Sequence, residues 1–446
     1  MARPTRSKVL EVMLESRHAG RLTQDDHGRL AFEYDDDYRE RPDATPLSLS
    51  MRPTRRRHEN KVVEPFLRGL LPDSQPVLER WAERFHVSAN SPFGLLTHVG
   101  EDVAGAVQFV VPDRLDEITD RGELATVDDA YVAGRLAALR QDRAAWNTAD
   151  SPGQFSLAGA QSKFALYRDP VSGEWAIPSG RLATTHILKP ALPNLNDQDV
   201  NEHLCLRAAA NLGLDAADSE IIDFGSERAI VLSRYDRAFI ENGELIRIHQ
   251  EDFCQALGIM PIHKYERGEP GTAGKGPGIV RMIQLMQEVQ PVWEARQSAE
   301  HYVKALAFNW LIYAPDAHAK NYSILLSGPD ALPSPLYDVS SVLPYPRVGL
   351  SDEGFDLRRM AMAMSVDGQY ENGLITSERW RGLARRLRLD PEQVLDWVCD
   401  LADRVADSFA DAARAEAATI SGRSVVTALI DGVARYSAKL RMNLVR

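Results

Sequence analysis

The stretch from Tyr302 to Leu326 constrains the fold of this chain more than any other. Tyr302 to Ala314 reads as a long apolar helix, and Pro315 stops it. A polar segment follows at once, Asp316-Ala317-His318-Ala319-Lys320-Asn321, and then a second apolar run, Ile324-Leu325-Leu326. A polar loop with one Asp and one Asn is common. One that packs Asp, His, Lys and Asn between Trp310-Leu311-Ile312 and a second apolar flank is not, and it must stand on a rigid base.

With 446 residues, the chain is too long for one ordinary core and divides into packed units. Residues 1–112 mix short strands with a helix. Arg29 to Tyr34 and Gly105 to Val111 are strands, and a helix starts at Pro72-Asp73-Ser74 with Val77, Leu78 and Trp81 on one face. Residues 113–250 are α/β. Asp128 to Thr148 is a linking helix, and Phe164 to Tyr167 with Trp175 to Ile177 form a hairpin. Thr185 to Leu188, Ile221 to Phe224 and Ala229 to Leu232 are strands around a helix from Val200 to Leu212, with Gly213 as its C-cap. Residues 251–446 turn helical, with Gly268 to Gly278 as a mobile loop and Ser377 to Arg446 as a bundle. His249-Gln250-Glu251-Asp252 reads as a helix start rather than a metal cluster.

A net charge of -12 repels a phosphate backbone, so the chain alone is a poor nucleic-acid binder. The run Arg55-Arg56-Arg57 beside Arg52 reads as a solvated loop. Cys205, Cys254 and Cys399 form no C-x-x-C pair, and their odd number argues against a disulfide framework; all three read as buried thiols. The basic start lacks the apolar core of a signal peptide, and no run reaches the length of a membrane span. A soluble cytoplasmic protein is expected.

Four motifs stand in the order that phosphoryl transfer needs, a reaction of positioning and charge stabilisation around Mg-ATP. The first is Ser156-Leu157-Ala158-Gly159-Ala160-Gln161-Ser162-Lys163. Its small residues let backbone N–H groups approach phosphate oxygens, and Lys163 adds charge. A plain turn has the same look, and the ending of a Walker A loop is missing. The second, Thr185-His186-Ile187-Leu188-Lys189, ends an apolar strand on a lysine, as the phosphate-holding strand of kinases does; an edge-strand lysine facing solvent looks the same. Glu202, opening the next helix after Asn201, is placed to pair with Lys189 or to serve as an acidic first-turn residue. The third is the segment Asp316 to Asn321, whose Asp-x4-Asn spacing matches a kinase catalytic loop: Asp316 orients or deprotonates the attacking hydroxyl and Asn321 holds a magnesium ion. In the fourth, Pro335-Leu336-Tyr337-Asp338-Val339-Ser340, Asp338 follows a short apolar strand and suits the second metal ligand.

In these motifs the sequence resembles the HipA family of toxin kinases. Ser156 to Lys163 is similar to the family's Ser-x-Ala-Gly-Ala-Gln-x-Lys loop. Thr185 to Lys189, Asn201-Glu202, Arg234-Tyr235-Asp236-Arg237, Gln250-Glu251-Asp252-Phe253-Cys254-Gln255, Asp316 to Ser323 and Tyr337-Asp338 follow in the family's order. Gly69-Leu70-Leu71-Pro72-Asp73 and Ser91-Pro92-Phe93-Gly94-Leu95-Leu96 resemble its N-terminal module. The resemblance implies an α+β, protein-kinase-like two-lobed fold. Its α/β N-lobe carries an added N-terminal module, its C-lobe is all-α, and ATP and Mg2+ lie between the lobes.

Carried over residue by residue, Ala158, Gly159, Ala160, Gln161, Ser162, Lys163 and Lys189 touch the phosphates. Ser233, Arg234 and Tyr235 lie at the adenine, mainly through backbone groups. Asp316 is the catalytic base; His318, Ala319, Lys320, Asn321 and Tyr337 line the nucleotide site; Asn321 and Asp338 hold Mg2+. Ser156 matches the family's autophosphorylated serine, where a phosphate would eject the loop and switch the kinase off. The implied partners are a small DNA-binding, HipB-like antitoxin and a protein substrate such as an aminoacyl-tRNA synthetase. Ser233 stands where the family's best-known form has Glu, a change a backbone contact survives. The tail lacks a lysine-rich stretch, so DNA is reached only through the antitoxin.

Two other readings fit the same residues. A nucleotide-binding co-repressor acting with a DNA-binding antitoxin would hold ATP without consuming it. A small-molecule or lipid kinase, suggested by D-x-H-x-x-N, would differ in its phosphoryl acceptor.

Overall fold

The structure is a computed structural model that describes residues 8–445 apart from 120–121, 143–155, 157–158, 160, 193–194, 269–274, 347–356 and 358–359. By internal contacts the chain forms two compact units. One is residues 1–190, 223–261 and 324–330; the other is residues 191–222, 262–323 and 331–446.

Two larger sheets shape the first unit. Strands β1 (Lys8–Leu14), β2 (Arg17–Gln24), β3 (Leu30–Tyr34), β4 (Arg57–Glu59) and β5 (Val107–Val110) form an antiparallel sheet in the order β4-β3-β2-β1-β5. Alternate residues such as Leu22, Phe32 and Phe109 are buried on it. The helix expected after Pro72 runs from Gln75 to Phe85, with Ser74 as its N-cap and Val77 and Trp81 buried. Arg56 lies within 3.0 Å of both Glu33 and Asp36, and Arg57 lies 3.0 Å from Glu59. That basic run is therefore an exposed, locally neutralised bend leading into β4.

The second sheet comprises β6 (Leu124–Val127), β7 (Phe164–Arg168), β8 (Trp175–Pro178), β9 (His186–Pro190), β10 (Ser219–Phe224) and β11 (Glu227–Ser233), in the order β10-β11-β9-β7-β8-β6. The expected hairpin is β7–β8, with Tyr167 opposite Ala176. Its turn is held by the Asp169 carboxylate, which accepts from the Val171 and Ser172 N–H groups. The linking helix expected from Asp128 runs from Asp129 to Gln141; residues 143–148 lie outside the described ones.

A buried charge network ties the two sheets of this unit together. Asp236 accepts from Arg234 (3.0 Å), the Gly105 N–H (2.7 Å) and the Gln250 amide (2.9 Å). Asp102 accepts from Arg237 (2.8 Å) and from the N–H and hydroxyl of Thr184 (3.0 and 2.7 Å). Burial alone would raise the Asp102 carboxyl, but Arg234, Arg237 and Arg247 hold it down at about 2. Burial pulls the Arg247 guanidinium down to about 10.

His249–Asp252 is a strand and not a helix start; the helix begins one residue later, at Phe253, with Asp252 and Gln255 closing a capping box. Glu251 on this strand is buried and accepts from the Leu49 N–H at 2.7 Å. Burial pushes its carboxyl up to about 8, against an ordinary value of 4.5. Between those two values the folded chain holds a proton that the unfolded chain has released, so this group makes stability fall as pH rises through that window. Denaturant midpoints measured at about pH 5 and about pH 8 should therefore drop less in Glu251→Gln than in the wild type; equal drops would show that Glu251 is ionised in the fold.

The second unit is mainly helical. Its principal helices are Gln198–Asn211, Val292–Leu311, Pro391–Ala415 and Ser424–Val445. Trp310 packs edge-on against Trp380 at 5.6 Å, and both are fully buried. The helix expected over Tyr302 to Ala314 begins earlier, at Val292, because its first turns are amphipathic and leave Val292 and Trp293 exposed. The region from 251 onward is not all-α. It also carries strands Ser323–Ser327, Asp330–Pro333, Ala361–Val366 and Gln369–Glu371. Cys205 and Cys254 are buried as expected, whereas Cys399 is only partly so. Among the described residues no helix is long and apolar enough to cross a membrane.

Candidate active site

The residues of the phosphoryl-transfer motifs fall into two sets, one in each unit. In the first unit, the loop 156–163 is fastened to the segment Leu70–Asp73. The buried Ser156 hydroxyl donates to the Leu70 carbonyl at 2.8 Å. The Ser156 N–H donates to the Asp102 carbonyl (3.0 Å) and the Asp73 N–H to the Gly159 carbonyl (3.1 Å). Gly159 has φ 106°, and a Cβ there would lie 2.7 Å from Lys163 Nζ. Only glycine lets the backbone turn this way with an ammonium group so close. Ala158 and Ala160 lie outside the described residues.

Lys163 and Lys189 are both buried. Phe164 pairs with Leu188 in the antiparallel β7–β9 ladder, and one further step in that register sets Lys163 opposite Lys189. Directly opposed residues share a face, so the register puts the two lysines on one side of the sheet. Gln161 and Ser162 precede them in the same loop.

Ser233 ends β11 opposite His186, and the Tyr235 hydroxyl donates to Gln250 at 2.5 Å. The Arg234 guanidinium is committed to Asp236, Thr184 and the Val103 carbonyl (3.0, 2.9 and 2.8 Å). Its N–H donates to the Thr185 carbonyl and its carbonyl accepts from Arg237. The Arg234 side chain thus holds the strand end in place.

In the second unit, the helix ending at Leu311 leads through Pro315 into a tightly closed loop. The His318 N–H (2.8 Å) and the Asn321 side-chain amide (3.1 Å) both donate to the Asp316 carbonyl. The Asn321 N–H donates to the His318 carbonyl (2.9 Å), and Ala319–Asn321 is a 3-10 turn. The Tyr337 hydroxyl donates to the Lys320 carbonyl at 2.7 Å. His318, Ala319 and Lys320 are buried, whereas Asp316 is exposed. The loop thus turns its neighbours inward and offers one carboxylate outward.

Asp338 has φ 58°, a left-handed conformation that a non-glycine residue keeps only when its surroundings hold it. Before it, Leu336 exchanges backbone hydrogen bonds with Asp215 and Ala217 (both 2.8 Å). After it, the Asn201 amide donates to the Ser341 carbonyl (2.7 Å), and its oxygen accepts the Ser341 N–H (3.2 Å). Asn201 therefore clamps the segment that carries Asp338.

Magnesium fits this donor set. The Asn321 nitrogen is turned to the Asp316 carbonyl, and the Asn321 amide oxygen and the Asp338 carboxylate are both of the donor type that Mg2+ takes. Among the described residues no group of three or more His, Cys, Asp or Glu forms a complete cage. A Mg2+ that completes its shell with water and phosphate needs none.

One contact was not foreseen. The Tyr265 hydroxyl donates to Asp316 Oδ1 at 2.5 Å, and its ring stands edge-on to His318 at 5.0 Å. No spacing signal points to it, because the two residues are 51 positions apart.

The family model for the HipA-like C-terminal domain matches residues 155–409, and that for the HipA N-terminal domain matches residues 10–110. The chain is 32% identical over 416 residues to Y4mE of Sinorhizobium fredii, whose name marks it as a candidate kinase; this covers 90% of the chain and 91% of that protein. It is 28% identical over 354 residues to the serine/threonine-protein kinase toxin HipA of Shewanella oneidensis, covering 78% and 76%. A solved structure of Shewanella oneidensis HipA with HipB and its operator DNA superposes with a TM-score of 0.78 at 26% identity, covering 97% of this chain and 99% of that one.

Proposed function

The chain belongs to the HipA family, and from that premise we propose that it is an ATP-dependent serine/threonine protein kinase, the toxin of a toxin-antitoxin pair. Its target in this reading is a protein of translation such as an aminoacyl-tRNA synthetase. The observation that carries the reading is the loop Asp316–Asn321, which exposes one carboxylate while its own backbone and Asn321 hold it. Residues 1–112 form the N-terminal module, 113–250 the phosphate-binding part and 251–446 the catalytic part.

Each residue set then has a task. Lys163 and Lys189 neutralise phosphate oxygens, with Gly159, Gln161 and Ser162 around them, and Ser233 and Tyr235 flank the adenine. Asp316 accepts the proton of the seryl or threonyl hydroxyl as its oxygen bonds to the γ-phosphorus and the bond to ADP breaks. Mg2+ held by Asn321 and Asp338 supplies charge neutralisation on the phosphates. His318, Ala319, Lys320 and Tyr337 fix the loop that carries these groups.

Ser156 is the autophosphorylation site in this reading. Its hydroxyl is buried against Leu70, so a phosphate there is incompatible with the fastened loop. Modification would release the loop and silence the kinase. The likeness to HipA solved with HipB and operator DNA supports a HipB-like antitoxin as partner. The net charge of -12 supports contact with DNA through that partner alone.

Intact mass after incubation with Mg-ATP tests the reading. Wild type gains one phosphate, and neither Asp316→Ala nor Ser156→Ala does. A phosphate gained by Asp316→Ala would remove the base assignment. ATP bound but never consumed by any form would favour the co-repressor.

A further inference from the structure

Residues 264 and 265 touch the loop 316–321, and residue 266 touches the strand that is tied to its base. The Lys264 carbonyl accepts the Ala319 N–H at 3.2 Å. Tyr265 donates its hydroxyl to Asp316 Oδ1 at 2.5 Å and sets its ring edge-on against His318. Glu266 accepts from the N–H and hydroxyl of Ser365 at 2.6 and 3.1 Å. The strand bearing Ser365 is in turn tied to the base of the loop, since the Ala363 N–H donates to the Pro315 carbonyl at 2.9 Å. Tyr265 is therefore not a side chain resting on the surface near Asp316. It belongs to a frame closed by backbone hydrogen bonds on both sides.

The segment that follows tightens the frame. Gly268 and Gly276 both donate their N–H groups to the Tyr265 carbonyl, each at 2.9 Å. A Cβ on Gly276 would come within 2.0 Å of the His263 carbonyl, and one on Gly278 within 2.2 Å of the Glu266 carboxyl. Gly276 and Gly278 thus serve close approach around Tyr265. Residues 268–278 were expected to be mobile; the two ends are pinned, and 269–274 lie outside the described residues.

We propose that Tyr265 is a positioning residue for phosphoryl transfer: its hydroxyl, donated to Oδ1, sets the orientation in which the Asp316 carboxylate meets the acceptor hydroxyl. The inference rests on Asp316 being the base. A carboxylate free to rotate about its last bond spends part of its time misdirected, and a hydrogen bond to one oxygen removes that freedom. The Lys264 ammonium lies 5.6 Å from the Tyr265 ring centre. His318 touches the ring edge, and Lys320 is buried in the loop itself.

The test uses the full chain with Mg-ATP as probe and ADP release as readout. Tyr265→Phe keeps the ring and removes the hydroxyl. It should lower the single-turnover rate of ADP release about tenfold and leave the affinity for ATP unchanged. In an Asp316→Asn background the same change should have no further effect, because the group it acts through is gone. A rate equal to or above wild type, or the same tenfold loss in both backgrounds, would overturn the proposal. If Asp316→Asn releases ADP as fast as wild type, the base assignment itself fails, and this is distinguishable from failure of Tyr265 alone. A second readout needs no turnover. In the chain labelled with 3-fluorotyrosine, the 19F signal that vanishes in Tyr265→Phe should move in Asp316→Asn, and a signal that stays put would show that the hydrogen bond does not form.

Discussion

Asp316→Asn is expected to slow phosphoryl transfer by about a thousandfold while leaving ATP affinity within about twofold of wild type. The substitution keeps the size of the side chain and removes its capacity to take a proton. The loop should survive it, because its closure runs through backbone groups: the Asp316 carbonyl accepts from His318 and Asn321, and neither bond involves the carboxylate. Stopped-flow binding of a fluorescent ATP analogue and single-turnover transfer measure the two quantities separately. A matching loss of affinity would mean that Asp316 holds nucleotide rather than activating the acceptor. A loss of tenfold or less would mean that the hydroxyl reacts without a base.

Asp236→Ala should produce the largest loss of stability among single changes at a polar site. Asp236 sits against Arg234 and Arg237, and all three side chains are almost entirely buried. Removing it leaves Arg234, Arg237 and Arg247 facing Asp102 alone. Breaking a buried pair from one side costs about 3–5 kcal/mol, because the remaining charge is stranded away from water. Removing the exposed Asp403 partner of Arg441 should cost less than about 1 kcal/mol. Urea titrations of both variants provide the comparison. If the two midpoints agree, the network is wetter than its burial indicates.

The closed loop Asp316–Asn321 was legible in the sequence because its parts are local. Asp316, His318 and Asn321 lie within six consecutive residues, and the apolar segments that base the loop adjoin it. The α+β character and the hairpin Phe164–Pro178 were legible for the same reason, since alternation and turn residues act at short range. The buried commitment of the Arg234 side chain was not legible, because a charged residue at a strand end looks the same whether it faces a ligand or a core. The groups that consume it, Val103 and Thr184, lie 131 and 50 positions away. Ala361–Val366 was read as part of a helical region, since alanine and methionine favour helix; pairing with Gln369–Glu371 and the bond from Ala363 to Pro315 override that preference. Tyr265 offered no signal, because its role depends on a contact made only after folding.

The fastening of the loop 156–163 has a consequence for timing. Hydrogen bonds from Ser156 to Leu70, from Ser156 to Asp102 and from Asp73 to Gly159 are among those that hold its described residues. Each contributes about 1 kcal/mol net. With Ser156 as the proposed acceptor, its buried hydroxyl meets a phosphoryl donor only when such bonds open, and each phosphate added records one such excursion. The chain would carry a built-in hourglass: its working life is set by how often a short latch springs, not by how fast the chemistry runs.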